Sequence, residues 1–111
     1  MIRVLRTRRF VARSEDRIQE GIAYVLKNEE IPFRREVSLA PRDRIDFMVG
    51  RCGVEVKVKG TTPSVQRQLE RYAEHDEVEE ILLVTTKSAH VSIARELNGK
   101  PVHVFILQRG L

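Results

Sequence analysis

At 111 residues the chain has length for one domain, 1–111, and a single core. Its 41% apolar and 32% charged residues, with no apolar run near the roughly 20 needed to span a bilayer, exclude a membrane protein and point to a cytoplasmic location. Cys52 is the only cysteine, which excludes an internal disulfide framework, and the net charge of +4 favours a polyanionic partner.

Residues 1–13 carry Arg3, Arg6, Arg8, Arg9 and Arg13 with no acid. This stretch alternates weakly and reads either as a charge-protected edge strand or as a basic arm able to straddle phosphates. Ser14 followed by Glu15 and Asp16 opens a helix, with a capping hydroxyl and acids at the positive end of the dipole. Ile18, Ile22, Val25 and Leu26 form its inward stripe through about Asn28. Glu15 falls on that stripe. Ile31-Pro32 stops the helix, since proline cannot continue the ladder.

Phe33, Val37 and Leu39 mark a strand over about 33–39, followed by a turn at Ala40–Asp43. Two period-2 runs follow, over about 44–50 and 53–59. Gly50-Arg51-Cys52-Gly53 reads as the connection between them. Setting Val49 opposite Val54 puts Phe47 against Val56 and Ile45 against Val58, so that all six share one face. The other face then holds Asp46 opposite Lys57 and Met48 opposite Glu55. Asp46 and Glu55 become diagonal neighbours, roughly 7–8 Å apart at the backbone. Two carboxylates and an ammonium on one sheet face can hold a hard divalent cation and orient a water beside it. A Glu-x-Lys tripeptide alone is more often a solvated surface pair; Asp46 on the same face is what raises its weight.

Gly60-Thr61-Thr62-Pro63 turns into a helix capped by Thr62, with Val65, Leu69, Tyr72 and Ala73 on its buried side. Gln68 and Tyr72, four apart, share one face. Residues 74–80 hold Glu74, Asp76, Glu77, Glu79 and Glu80 with no Lys or Arg, an acidic surface opposed to the basic one. The apolar run 81–84 in Glu80–Thr85 reads as a strand buried on both faces and parallel to its neighbour. Ser88 caps a short helix carrying Ile93, Ala94 and Leu97, stopped by Asn98-Gly99, and Val102–Leu107 is a last strand. His75, His90 and His103 are too scattered for a zinc pattern and read as structural or solvated.

Asp46, then Glu55-x-Lys57, then Gln68-x-x-x-Tyr72 resembles the PD-(D/E)XK nuclease superfamily, closest to its RecB-type branch with a Q-x-x-x-Y motif. Ile45 stands where that family has proline. The resemblance implies an α/β, restriction-endonuclease-like αβββαβ core, a mixed sheet flanked by helices. It implies a Mg2+- or Mn2+-dependent deoxyribonuclease with Asp46, Glu55 and Lys57 as the catalytic set. By the same resemblance Asp46, Glu55, the Val56 carbonyl and Glu15 are metal ligands. Gln68 and Tyr72, with the basic Lys59, Arg67 and Arg44, are expected to contact nucleic acid. A chain this small offers little surface to encircle DNA, so a homodimer or a partner protein is expected. The alternatives are a non-catalytic nucleic-acid-binding module and a structural subunit of the same fold.

Overall fold

Two helices and a mixed six-stranded open sheet make up residues 14–107, the part of the chain that the computed structural model describes. The basic segment 1–13 lies outside these residues. Helix α1 spans Glu15–Asn28, and the Ser14 hydroxyl accepts the Arg17 N–H at 3.2 Å, as its sequence foretells. Strands β1 (Arg34–Ala40), β2 (Asp43–Val49) and β3 (Cys52–Lys57) form an antiparallel meander. Helix α2 (Thr62–Ala73) leads to β4 (Glu80–Thr85), which pairs parallel to β3. A 3-10 helix (Ser88–Ser92), a short β5 (Glu96–Leu97) and β6 (Lys100–Ile106) complete the chain, with strand order β1-β2-β3-β4-β6-β5.

The helices cover opposite faces of the sheet. Ile18, Ile22, Val25 and Leu26 of α1 pack with Phe47, Val54, Val56, Leu82 and Val84. Val65, Leu69, Tyr72 and Ala73 of α2 pack with Ile45, Met48, Ile81, Leu83 and Val102. Strand β4 therefore feeds both cores from alternate residues, which is why its apolar run is continuous. Among the described residues no helix is long and apolar enough to cross a membrane.

Four expectations need correction. The β2–β3 hairpin turns on Gly50 and Arg51 alone, with Val49 opposite Cys52 and Phe47 opposite Val54. Cys52 and Gly53 belong to the strand: a Cβ on Gly53 would lie 2.5 Å from Ile45 Cδ1, so this glycine serves close packing and not the turn. Second, Ile45 packs on the α2 side while Phe47 packs on the α1 side, so the six apolar residues do not share a face. The β1–β2 ladder pairs Arg35 with Phe47 and Val37 with Ile45 but skips Glu36 and Asp46, and Glu36 has φ +50°. That local twist turns the strands over between the two pairs. Third, the cap of α2 is Thr61, whose hydroxyl accepts the Ser64 N–H at 3.2 Å, and Thr62 is the first helical residue. Fourth, the helix expected after Ser88 is only the 3-10 turn. Asn98 (φ +52°) and Gly99 (φ +76°) form a hairpin joining β5 to β6, and Asn98 Nδ2 donates to the Ala73 carbonyl at the end of α2.

Candidate active site

Where the β2–β3 ladder stops, side chains take over its hydrogen bonds. Regular pairing runs from Val49–Cys52 to Phe47–Val54. Beyond it the Asp46 N–H donates to Glu55 Oε1 at 3.2 Å, and the Val56 N–H donates to Asp46 Oδ2 at 2.8 Å. Continuing the observed offset sets Asp46 directly across from Glu55, closer than the diagonal that the sequence suggests. Two carboxylates thus fill backbone positions in the sheet.

Glu55 is 3% exposed. Its Oε2 faces the Tyr72 hydroxyl at 3.3 Å and the Lys57 ammonium at 3.6 Å. Tyr72 is itself 1% exposed; its hydroxyl also lies 3.0 Å from the Arg44 carbonyl and accepts from Gln68 Nε2 at 2.8 Å. The Gln68–Tyr72 pair therefore bonds within the chain, with the Tyr72 hydroxyl against Glu55 and half-buried Gln68 beside it. From the first turn of α1, Glu15 Oε1 accepts the Val58 N–H at 3.2 Å. Residues from α1, β2 and β3 converge, as the sequence implies for Glu15, Asp46, Glu55 and Lys57. Val56 takes part through its N–H. Arg44, Lys59 and Arg67 have exposed side chains that make no hydrogen bond or ion pair with these carboxylates among the described residues.

The electrostatics follow from burial. Loss of water pushes the Asp46 carboxyl above its usual range and the Glu15 carboxylate adds to this, against the pull of the Val56 N–H and Lys57. Burial, with the neighbouring Asp46, pushes Glu55 up to about 8, although Lys57 and the Asp46 N–H oppose it. Burial and the two carboxylates also raise the Tyr72 phenol, which stays protonated. The site holds more negative charge than its one ammonium offsets.

Asp46 and Glu15 each commit one oxygen to a backbone N–H, and both residues are partly exposed. No three His, Cys, Asp or Glu side chains among the described residues form a ready cation cage. An all-oxygen donor set of this kind fits magnesium, which keeps several waters and takes one or two carboxylates with substrate phosphate.

Three further polar contacts escape the sequence reading. His90, fully buried, bonds Thr85 Oγ1 at 2.7 Å and the Gly60 carbonyl at 2.9 Å. His75 and Arg71 both bond Asp43, which they hold below the usual carboxylate range with the His75 bond as the larger cause. His103 lies 3.5 Å from Glu80. Only their long sequence separations, invisible in any local pattern, hide these pairs. Comparison with known protein families, curated proteins and solved structures finds no match to this chain.

Proposed function

We propose that this chain is a metal-dependent nuclease that hydrolyses phosphodiester bonds in DNA inside the cell, on a restriction-endonuclease-like αβββαβ core. One observation carries the reading: half-buried Asp46 and buried Glu55 interlock at the break in the β2–β3 ladder, with Lys57 3.6 Å from Glu55. Asp46 and Glu55, with Glu15, would hold magnesium or manganese. Such an ion, when bound, polarises a phosphoryl oxygen and lowers the pKa of a bound water. The rest is the work of the chain's own residues. Gln68 holds Tyr72, and Tyr72 holds the Glu55 carboxylate in one orientation. The Val56 N–H fixes one oxygen of Asp46. The Lys57 ammonium orients the attacking water and offsets charge that grows on the phosphorane. A homodimer or a partner protein extends the grip on DNA.

A second reading, a non-catalytic nucleic-acid-binding module or structural subunit of the same fold, has its own support. Both Glu55 oxygens already have partners within the chain, and no ready cation cage exists among the described residues. Incubation of linear and circular DNA with manganese separates the readings. The wild-type chain is expected to cut, and Lys57→Ala to lose ~10²–10³ in rate with unchanged circular dichroism and melting. A purely structural ion pair between Lys57 and buried Glu55 would leave activity intact. Near-wild-type cleavage by Lys57→Ala overturns the mechanism; DNA bound but uncut by the wild type favours the second reading.

A further inference from the structure

Beyond Lys57 the chain leaves the sheet beside β4, and the two segments stay bonded together. The Thr86 N–H donates to the Lys57 carbonyl at 3.2 Å, and the Thr62 hydroxyl donates to the Ala89 carbonyl at 3.2 Å. His90 closes the joint from inside. The Gly60 carbonyl can only accept, so His90 Nε2 carries the hydrogen and Nδ1 accepts from the Thr85 hydroxyl. Thr85 Oγ1 in turn accepts the Lys87 N–H at 3.0 Å. The result is a braced ledge of residues 59–62 and 87–92 at the carboxyl ends of β3 and β4.

The two segments that form this ledge contain no acid of their own, although Glu15 of α1 reaches the Val58 N–H beside them. Segments 56–69 and 81–95 contain no Asp or Glu, and they carry Lys57, Lys59, Arg67, Lys87 and Arg95. Lys59 and Lys87 are exposed, as are the hydroxyl-bearing Ser64, Ser88 and Ser92. The acids of 74–80 precede β4 or open it, so they stand at the other end of the same strand. Lysines at strand ends are ordinarily just solvated. Here the Thr86–Lys57 backbone bond holds the two segments side by side, and neither contains a carboxylate of its own to compete with a phosphate.

We infer that a nucleic-acid strand crosses from the candidate site onto this ledge, where Lys59 and Lys87 hold its backbone phosphates irrespective of base sequence. The contact rests on the proposed DNA substrate but not on cleavage. Ammonium and hydroxyl groups read phosphate oxygens, which carry no sequence information. Each phosphate contact releases counterions, so each lysine sets part of the salt dependence.

Fluorescence anisotropy with oligonucleotides of unrelated sequence, over a range of salt, tests this in the full chain. Lys59→Ala and Lys87→Ala are each expected to lower the slope of log affinity against log salt by roughly one, equally for every sequence. Lys27→Ala, an exposed lysine in the last turn of α1, removes the same charge far from the ledge and is expected to leave the slope unchanged. An unchanged slope in Lys87→Ala, or an equal fall in Lys27→Ala, overturns the inference. Cleavage by the same proteins is read in parallel. Slopes that fall while the wild type never cuts keep the ledge and remove the nuclease reading. Cleavage with unchanged slopes removes the ledge alone, and no DNA binding at all removes both.

Discussion

Two buried polar networks brace the same end of the sheet, and they are built on opposite terms. Around His90 every donor meets an acceptor: imidazole to Gly60, Thr85 hydroxyl to imidazole, Lys87 N–H to Thr85. Around Glu55 the terms are unfavourable: burial and the neighbouring half-buried Asp46 push its carboxyl up to about 8, Glu15 raises Asp46 in turn, and one ammonium lies 3.6 Å away. An ordinary ladder pair between β2 and β3 would avoid that repulsion, because buried like charges are unfavourable until something positive joins them. The difference separates a brace from a site: the His90 network is complete as it stands, while the Glu55 network leaves charge unbalanced.

Removing the brace is expected to have the largest effect. His90→Ala orphans the Gly60 carbonyl and the Thr85 hydroxyl and leaves a void, a loss of about 2–4 kcal/mol in urea denaturation. A change within about 0.5 kcal/mol of wild type would mean that the network braces nothing, and the comparison would lose one side.

A pH-dependent effect sharpens the other side. Folding raises the Glu55 carboxyl from its ordinary 4.5 to about 8, so the folded chain keeps a proton that the unfolded chain releases between these values. This contribution to stability is complete below about pH 4.5 and fades as pH rises through about 8. Asp43 has the opposite sign, since its lowered carboxyl adds stability that is lost as pH falls through its folded pKa. Denaturation without added metal is expected to show wild-type stability declining from about pH 5 to about pH 8. In Glu55→Gln the decline should be much reduced. An equal decline in both proteins would remove Glu55 as its source.

Much of the fold was legible because its signals are local. The Ser14 cap, the stripe of α1, the alternation of 54–58 and the two-sided run of β4 each depend on nearest neighbours along the chain. The failures have non-local or ambiguous causes. Nothing in the residue type of Glu36 announces a φ of +50°, yet that twist helps carry Ile45 to the other core. Asn98-Gly99 serves equally as a helix stop or a hairpin turn, and only pairing with β6 decides for the hairpin. The same split holds at the site. Asp46, Glu55 and Lys57 come together because strand periodicity brings them together, even with the register two residues off. That Tyr72 meets Glu55 and Gln68 meets Tyr72 depends on how α2 lies across β2 and β3, which spacing alone does not give.

The central claim is that the carboxylate excess at Asp46, Glu55 and Glu15 exists to take a divalent cation. Calorimetric titration of manganese into the wild-type chain and into Asp46→Asn measures it without reference to any substrate. Asparagine keeps an oxygen for the Val56 N–H and removes a half-buried charge, so the variant is expected to fold at least as well as the wild type. The wild type should give a binding isotherm, and Asp46→Asn, folded by circular dichroism, should give none. Equal heats from the two proteins, or an Asp46→Asn chain that fails to fold, would contradict the account and make Asp46 a structural residue.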